Sequence, residues 1–315
     1  AGWGLTQDEM PVPRRQRVLT RAQLFAAAMI LYPVWYDPYR DRLCELEDVI
    51  EALEAQARAW RQDNRGWVAS GMRLWKRQPL QGFFGRHKRV IFAEDGARAP
   101  DRPRMIWAGK ADADDAAVRV EDGFLRSRGL GAELVPPVSL VTDAKGIYYD
   151  PSRPSELEDW IARREVLTAA QARRAERLIK ALTEGGLSKY NLGGVRPDLP
   201  EGHRVLVPGQ VEDDASILTG AGKIRSNLDL LGAARAARPD AVIVFKPHPD
   251  VEAGLRSGAA DTTGLADVIA GGTDPAALLD EVQEVWTMTS LLGFEALLRR
   301  VPVTCVGLPF YAGWG

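Results

Sequence analysis

Ala241-Val242-Ile243-Val244-Phe245 is a run of five apolar residues that leads directly into Lys246-Pro247-His248-Pro249. Such a run, bounded by turn residues, is typical of a strand buried on both faces of a parallel sheet. The two prolines stiffen the turn by which the chain leaves the strand. The sequence therefore predicts a buried strand that holds an imidazole at its carboxyl end, where open α/β sheets bind ligands.

Strand and helix patterns alternate on both sides of this run. The patterns predict strands at 205–207, 282–286 and 301–305, and helices at 225–237, 275–279 and 291–299. Regular alternation of this kind predicts a doubly wound parallel sheet over residues 201–315.

Shorter apolar runs upstream predict a second, mainly parallel sheet. Its strands are expected at 90–92, 105–107, 118–120 and 138–141, followed by helices at 155–163 and 168–182, with Thr168 as the N-cap of the second. A loop rich in Gly and Pro over 185–202 separates the two regions. The expected fold is therefore α/β, with two Rossmann-like domains, residues 81–200 and 201–315, facing one cleft.

The apolar residues of 1–80 recur at helical spacing rather than in short runs, and they predict an N-terminal helical segment. Thr20 can cap a helix that Pro33 ends, and apolar residues between Leu46 and Trp60 recur at a helical spacing typical of core packing. A third apolar and aromatic pattern spans 67–75, and Pro79 and Gly82 are expected to break it.

Composition excludes several classes of protein. The 315 residues are 45% hydrophobic and 27% charged, which excludes a disordered or fibrous chain. The formal charge of −2 provides no overall attraction for nucleic acid or anionic membranes. Cys44 and Cys305 form neither a zinc spacing nor a disulfide framework, and the apolar stretch at 24–31 has about half the length of a bilayer span. These features predict a cytoplasmic protein with a small-molecule partner.

The tetrapeptide Ala-Gly-Trp-Gly occurs at 1–4 and again at 312–315. We interpret the chain as one period of a tandem repeat, and the lack of an initiator Met agrees with a longer parent chain. The alternative is a chance likeness between two Gly-rich turns.

Candidate phosphate ligands lie in the last third of the chain. His248 and Lys246 follow the strand at 241–245 and could donate to a phosphate, although His248 could also be a simple turn residue. Ser290 opens a helix whose free amides could bind an anion, or it could only cap that helix. Glu295, one turn further, could accept hydrogen bonds from ribose hydroxyls or could be a plain surface residue.

The loop after the strand at 205–207 is a further candidate. It contains Gln210 and Asp213, which could hydrogen-bond a nucleotide or a sugar, and the alternative is a solvated connection. The chain has no Walker A lysine and no Gly-x-Gly-x-x-Gly opening a helix after its first strands, so the usual kinase and dehydrogenase signatures are missing.

An acidic pair, Glu121 and Asp122, follows the strand at 118–120. Gly123 is expected to leave room for a ligand, and Arg126 could bind a substrate carboxylate bidentately. Carboxylates at strand ends can also be loop caps. Glu94-Asp95-Gly96 resembles this motif but has no Arg-Ser after it, so we interpret it as a lookalike.

Taken together, these motifs resemble the KpsC-type capsule polysaccharide Kdo transferases. The resemblance covers the chain from about Arg119 and rests on ordered blocks at 121–131, 136–141, 146–150, 188–191, 207–214, 246–249, 289–295 and 309–315. It implies a GT-B-like glycosyltransferase that uses CMP-β-Kdo as donor. Because His248 and the helix terminus at Ser290 could stabilise the leaving phosphate, no cofactor or divalent metal is expected. The resemblance also implies a Kdo-terminated lyso-phosphatidylglycerol acceptor, a companion module in the same chain, and a place at the cytoplasmic face of the inner membrane of a Gram-negative bacterium. The repeated tetrapeptide favours the second module and, by family analogy, a 2→7 linkage.

A β-configured donor that yields a β-configured product requires retention, usually through a glycosyl-enzyme formed on a carboxylate. Asp122 is the expected nucleophile, Glu121 the possible base toward the acceptor, and His248 with Ser290 the stabiliser of the departing CMP phosphate. Two alternatives stay open: a nucleotide-sugar epimerase or hydrolase of the same fold, and a catalytically silent binding module.

Overall fold

The computed structural model describes Arg14 and residues 19–94, 99–112, 116–163, 166–167, 169–255, 262 and 264–314. These residues fall into two compact units, which are described separately. The first comprises the residues before Trp67 together with Arg86–Lys88, and the second comprises Trp67–Gly85 and the chain from Arg89 onward.

The first unit begins with helix α1, Arg21–Phe25, which continues as a π-helix over Ala26–Leu31. Thr20 caps it as predicted, since its hydroxyl accepts from the Gln23 amide at 3.2 Å. A hairpin of β1, Trp35–Asp37, and β2, Arg42–Cys44, was not predicted.

Helix α2, Leu46–Asp63, confirms the predicted helix, but its apolar stripe does not form a core. Ile50, Leu53 and Trp60 are exposed by 53%, 58% and 54%. The expectation of core packing for this stripe is therefore wrong.

The second unit contains two five-stranded sheets. The strands of the first are β3, Val68–Ser70; β4, Ile91–Phe92; β5, Arg104–Trp107; β6, Val118–Asp122; and β7, Leu140–Asp143. Their order is β4-β3-β5-β6-β7, with β7 antiparallel to β6 and the other pairs parallel. Asp122, the last residue of β6, pairs with Leu140.

Residues 67–75 are not helical, so that prediction is wrong. Val68–Ser70 is a fully buried strand, Leu74–Lys76 is a short 3-10 turn, and helix α3 covers Arg77–Phe84. Pro79 does not break α3 because it is the third residue of the helix, where a backbone amide has no intrahelical acceptor. The first sheet therefore begins about twenty residues before the strand predicted at 90–92.

Two helices follow the first sheet. Helix α4, Glu156–Ala162, is capped by Ser155 as predicted, and α5 covers Ala169–Glu184. The predicted cap Thr168 lies outside the described residues, as do Asp95 and Gly96 of the lookalike motif and Ala1–Gly4 and Gly315 of the repeated tetrapeptide.

The second sheet confirms the predicted doubly wound topology. Its strands are β8, Arg204–Pro208; β9, Val242–Lys246; β10, Val268–Ile269; β11, Glu284–Thr287; and β12, Val303–Cys305. Its helices are α6, Ala215–Gly220; α7, Asn227–Ala237; α8, Pro249–Glu252; α9, Pro275–Leu279; and α10, Leu291–Leu298. The order β10-β9-β8-β11-β12 is entirely parallel.

The core of the second sheet follows the alternation of side chains along its strands. Val205 and Val207 pack in one apolar cluster, while Leu206 between them packs in another on the opposite face. The strand order reverses between β8 and β11, which creates a crevice at their carboxyl ends. Among the described helices, none is both long and apolar enough to cross a bilayer.

Candidate active site

A cavity of about 300 Å³ lies in the second unit and is lined from both sheets. Most of the predicted site residues line it: Glu121, Asp122, Gln210, Lys246, His248, Ser290 and Glu295. Arg126 and Asp213 are not among the lining residues. The predicted acidic pair and the predicted phosphate ligands therefore share one space.

The two carboxyl oxygens of Asp122 have different surroundings. Its Oδ2 accepts from the Arg126 Nε at 2.8 Å and lies 3.8 Å from the Lys76 Nζ. Its Oδ1 is buried and has no hydrogen-bond partner. Two cations thus interact with Oδ2, while the lone pairs of Oδ1 have no donor.

Glu121 is suited to proton transfer near neutral pH. Burial raises its pKa from 4.5 to about 7, although its hydrogen bond from the Asp122 amide opposes the shift. That bond joins the Asp122 N to the Glu121 Oε1 at 2.9 Å. A carboxyl with this pKa can act as either acid or base at physiological pH.

Arg126 occupies a different place from the one predicted for a substrate ligand. It is 1% exposed, and besides its bond to Asp122 its NH1 donates to the Ser127 hydroxyl at 2.7 Å. A Cβ on Gly131 would lie 2.8 Å from the guanidinium, so the group is tightly enclosed. In this structure Arg126 binds the Asp122 carboxylate and does not line the cavity.

Lys76 was missed by sequence reasoning because 67–75 was assigned to a helix. Its ammonium lies 3.1 Å from the centre of the Trp107 ring, in a cation–π contact. Burial lowers the pKa of Lys76, although Asp122 and Glu121 oppose the shift. The pairing of a lysine in a short turn with a tryptophan at a strand end has no signature in sequence.

Gly123 does not serve to admit a ligand. A Cβ at this position would collide with the side chain of Ser139, and the Gly123 amide donates to the Ser139 carbonyl at 3.0 Å. The glycine is needed because the chain entering β7 packs directly against the end of β6.

His248 lies at the carboxyl end of β9 and caps helix α8. Its Nδ1 accepts from the Asp250 amide at 3.1 Å, so the neutral imidazole carries its proton on Nε2, where it can donate. Lys246 is 5% exposed, and its Nζ donates to the Glu252 Oε2 at 2.8 Å. The contact with Asp250 orients the His248 ring, and Lys246 is paired with Glu252.

Gln210 bridges the crevice between β8 and β11. Its Nε2 donates to the Thr289 hydroxyl at 2.8 Å, and its Oε1 accepts from the Thr289 amide at 3.0 Å. Ser290 caps α10, since its Oγ accepts from the Leu292 amide at 3.2 Å. The capping of α10 is confirmed, and Gln210 holds the start of that helix in place.

Glu295 is not a surface residue, so that alternative is wrong. It is 7% exposed, and burial raises its pKa to about 7. Its Oε1 accepts from the Lys189 amide at 2.9 Å, and its Oε2 has no hydrogen-bond partner. Asp213, in contrast, lies in an exposed turn between β8 and α6.

The segment Ser188–Asn191 joins the two sides of the cavity. The Lys189 carbonyl accepts from the Arg126 amide at 2.9 Å, while the Lys189 amide donates to Glu295. An aromatic cluster joins them again, with ring centres 4.8 Å apart for Phe124 and Phe310 and 5.3 Å apart for Phe294 and Phe310. The loop after β6 is therefore tied to helix α10.

Comparison with known proteins finds a matching family model and similar curated proteins. The family model described as capsule polysaccharide biosynthesis protein matches residues 91–199 and 197–315. The capsule polysaccharide modification protein LipA of Neisseria meningitidis serogroup B is 41% identical over 341 residues, covering 100% of this chain and 48% of LipA. The lipopolysaccharide-processing protein LpsZ of Rhizobium meliloti is 49% identical over 205 residues, covering 62% of this chain and 47% of LpsZ. The chain spans about half the length of these curated relatives.

Two solved structures from Thermosulfurimonas dismutans are also similar. The KpsC β-Kdo 2,4 transferase is 32% identical with a TM-score of 0.70, covering 79% of this chain and 82% of that one. The KpsC β-Kdo 2,7 transferase is 34% identical with a TM-score of 0.63, covering 79% of this chain and 81% of that one. These similarities confirm the resemblance to KpsC-type proteins and the GT-B-like fold, and the chain belongs to the capsule polysaccharide biosynthesis protein family.

Proposed function

We propose that this chain is a retaining glycosyltransferase that moves Kdo from CMP-β-Kdo to a Kdo-terminated glycolipid. The observation that carries the proposal is the meeting, around one cavity, of the acidic pair at the end of β6 with the imidazole after β9 and the start of α10. The likeness to two KpsC β-Kdo transferases supports Kdo as the transferred sugar.

On the nucleotide side, the CMP phosphate lies against His248 and the start of α10. The Nε2 proton of His248, the Ser290 hydroxyl and the positive end of α10 stabilise the charge that develops on the phosphate as the glycosidic bond breaks. Glu295, one turn into α10, faces the ribose hydroxyls. This arrangement supplies the leaving-group stabilisation without a metal ion.

On the sugar side, the Asp122 Oδ1 attacks the anomeric carbon. As that bond forms, the bond from carbon to phosphate oxygen breaks and CMP leaves with the electron pair. The acceptor hydroxyl then attacks the same carbon, its proton passes to Glu121, and Asp122 is released as a carboxylate. Two displacements restore the original configuration.

The acceptor, the companion module and the site of action are proposed from the relatives. Because related chains are about twice as long, we infer that this module acts beside a second one on lyso-phosphatidylglycerol bearing one or more Kdo residues. The enzyme would work at the cytoplasmic face of the inner membrane. The 2→7 linkage stays a prediction, since the two solved neighbours make different linkages and are similarly close to this chain.

The test is incubation of the purified protein with CMP-Kdo and a synthetic Kdo-terminated acceptor. Mass spectrometry should show acceptor extended by one Kdo, and NMR of the product should give a β-anomer and its linkage position. A parallel incubation with donor alone separates the alternatives, because an epimerase or hydrolase consumes donor without acceptor. Product with an α-anomer, or CMP binding without any product, would contradict the proposal.

A further inference from the structure

We propose that Lys189 binds the carboxylate of the transferred sugar and thereby selects an acidic sugar donor over a neutral one. This proposal rests on the proposed function and names a determinant of donor choice at the same site. It assigns to Lys189 the task that sequence reasoning assigned to Arg126.

The cationic side chains around the cavity differ in their carboxylate partners. Lys246 is bonded to Glu252, and Arg126 and Lys76 both face the Asp122 Oδ2. Lys189 lines the cavity, and within the described part of the chain it forms no ion pair with a carboxylate. Its ammonium lies 5.1 Å from the centre of the Tyr190 ring. A lining cation without a carboxylate partner is suited to an anionic ligand.

The backbone of Lys189 is held in position from both sides. Its amide donates to the Glu295 Oε1 at 2.9 Å, and its carbonyl accepts from the Arg126 and Ser127 amides at 2.9 and 3.2 Å. Lys189 therefore lies between the loop that carries the nucleophile and the helix that faces the nucleotide. The transferred sugar must occupy that interval, since it is bonded to the nucleotide and is attacked by Asp122.

The charge of Lys189 is maintained in this setting. Burial opposes the charged form, but Tyr190, Tyr148 and Asp122 outweigh it and raise the pKa of Lys189. An ammonium that stays charged in a partly dehydrated cavity can form a charge-assisted hydrogen bond with the carboxylate of a bound ligand.

The proposed donor carries a carboxylate that can pair with the Lys189 ammonium. A 2-keto sugar acid carries its carboxylate on the anomeric carbon, one bond from the atom that Asp122 attacks. Without a cation, that carboxylate would be repelled by Asp122 and Glu121 as it approached. A neutral sugar would offer the ammonium no anionic partner beyond its contact with Tyr190, and such a mismatch favours the acidic donor.

The experiment compares wild type, Lys189→Met and Lys189→Arg. For each we would measure kcat/KM for CMP-Kdo and the inhibition constant of CMP. Lys189→Met should lower kcat/KM by about 10- to 100-fold, the range for one charge-assisted hydrogen bond, with the CMP constant changed by less than about twofold. Lys189→Arg should recover part of the loss. The control is Lys180→Met, which removes an exposed lysine from α5 and should leave both constants unchanged.

A ligand-side measurement keeps the test independent of variant folding. A CMP-Kdo analogue with a carboxamide in place of the carboxylate should inhibit wild type at least about tenfold more weakly than an analogue that retains the carboxylate, and Lys189→Met should not distinguish the two. An equal effect of Lys189→Met on CMP and on donor would assign the contact to the phosphate and overturn the proposal. Wild type that does not distinguish the analogues would also overturn it. If wild type transfers no Kdo at all, the proposed function fails instead.

Discussion

The two carboxyl oxygens of Asp122, the proposed nucleophile, have different surroundings. Arg126 and Lys76 approach the same oxygen, at 2.8 and 3.8 Å, and leave the other without a hydrogen-bond partner. A nucleophilic carboxylate needs an oxygen with available lone pairs, and this asymmetry leaves Oδ1 without a donor while Oδ2 is held.

Replacing Asp122 by Asn should abolish turnover while preserving the site. We expect kcat to fall by about 10³-fold or more, since an amide is a far poorer nucleophile of the same size, with the CMP inhibition constant nearly unchanged. Steady-state kinetics measure both values, and Asp240→Asn, at an exposed position before β9, is the matched control. Intact-protein mass spectrometry of wild type with donor should show one added Kdo on the peptide that contains Asp122. An adduct on Glu121, or near wild-type transfer by the Asn variant, would refute this role.

His248→Ala should lose the donor that faces the phosphate. Removing one such donor costs roughly 2 to 4 kcal/mol of transition-state stabilisation, so kcat/KM should fall about 30- to 1000-fold. His248→Asn retains an acceptor for the Asp250 amide but does not reach as far, so a similar loss would separate catalysis from capping of α8. His203→Ala serves as control, because His203 faces Glu284 at the amino ends of β8 and β11, away from the carboxyl end of β9 where His248 lies. Activity within tenfold of wild type in both His248 variants would rule out the assignment.

The sequence predicted which residues lie at the candidate site better than it predicted what each of them contacts. The sequence pointed to Asp122, His248 and Glu295 because each follows a recognisable strand. The contact of Lys76 with Asp122 depends on how distant segments meet, which no local pattern records, whereas Arg126 is only four residues from Asp122 but was assigned to the substrate instead. Gly123 was expected to leave room for a ligand, whereas in the structure a side chain there would collide with Ser139.

Helix α10 contributes both to the proposed nucleotide site and to the stability of the folded protein. Ser290 caps its start, and Glu295 lies one turn further with its carboxyl bonded to the Lys189 amide. Because that carboxyl is buried, its ionisation is coupled to folding.

Glu295→Gln should change how stability depends on pH. Burial raises the pKa of Glu295 from 4.5 to about 7. Between these values the folded state binds more protons than the unfolded state, so the contribution of Glu295 to the free energy of unfolding is greatest below pH 4.5 and is lost as pH rises through about 7. The loss amounts to about 3 kcal/mol.

Urea unfolding at pH 5 and pH 8 measures this effect. Glu295→Gln keeps the acceptor for the Lys189 amide and should lose less stability than wild type between the two pH values. Glu176→Gln, at an exposed position on α5, should behave as wild type. Equal pH dependence in wild type and Glu295→Gln would contradict the burial of an ionisable carboxyl.

Long alternating elements were predictable, and short or unusual ones were not. The strands of the second sheet follow continuous apolar runs, so β8, β9, β11 and β12 were found. Strand β10 has two residues and helix α8 has four, too few to produce a period. Helix α2 was found, but its exposed Trp60 shows that an apolar stripe does not by itself identify what covers it.

At the scale of the whole molecule, two sheets of different strand order supply one site. The first has the order β4-β3-β5-β6-β7 and ends in an antiparallel strand, whereas the second is parallel throughout. The proposed nucleophile comes from the first and the proposed phosphate ligands from the second. If these roles hold, catalysis depends on how the two sheets are held together.

Activity should survive excess EDTA. The proposed stabilisers of the departing phosphate are an imidazole, a hydroxyl and the positive end of a helix. In the part of the chain that the structure describes, no group of three or more His, Cys, Asp or Glu side chains could hold a metal ion. Transfer assays with and without chelator measure the effect, and activity lost with EDTA and restored by magnesium or manganese would refute the metal-independent reading.

The Lys189 amide has a further use as a reporter of motion. It belongs to no helix or strand, yet it donates to a carboxylate that is itself 7% exposed. In hydrogen–deuterium exchange, a loop amide normally exchanges quickly, whereas this one can exchange only when the Ser188–Asn191 segment separates from α10. Its protection therefore measures how often the cleft opens, and nucleotide that draws the two sides together should slow its exchange.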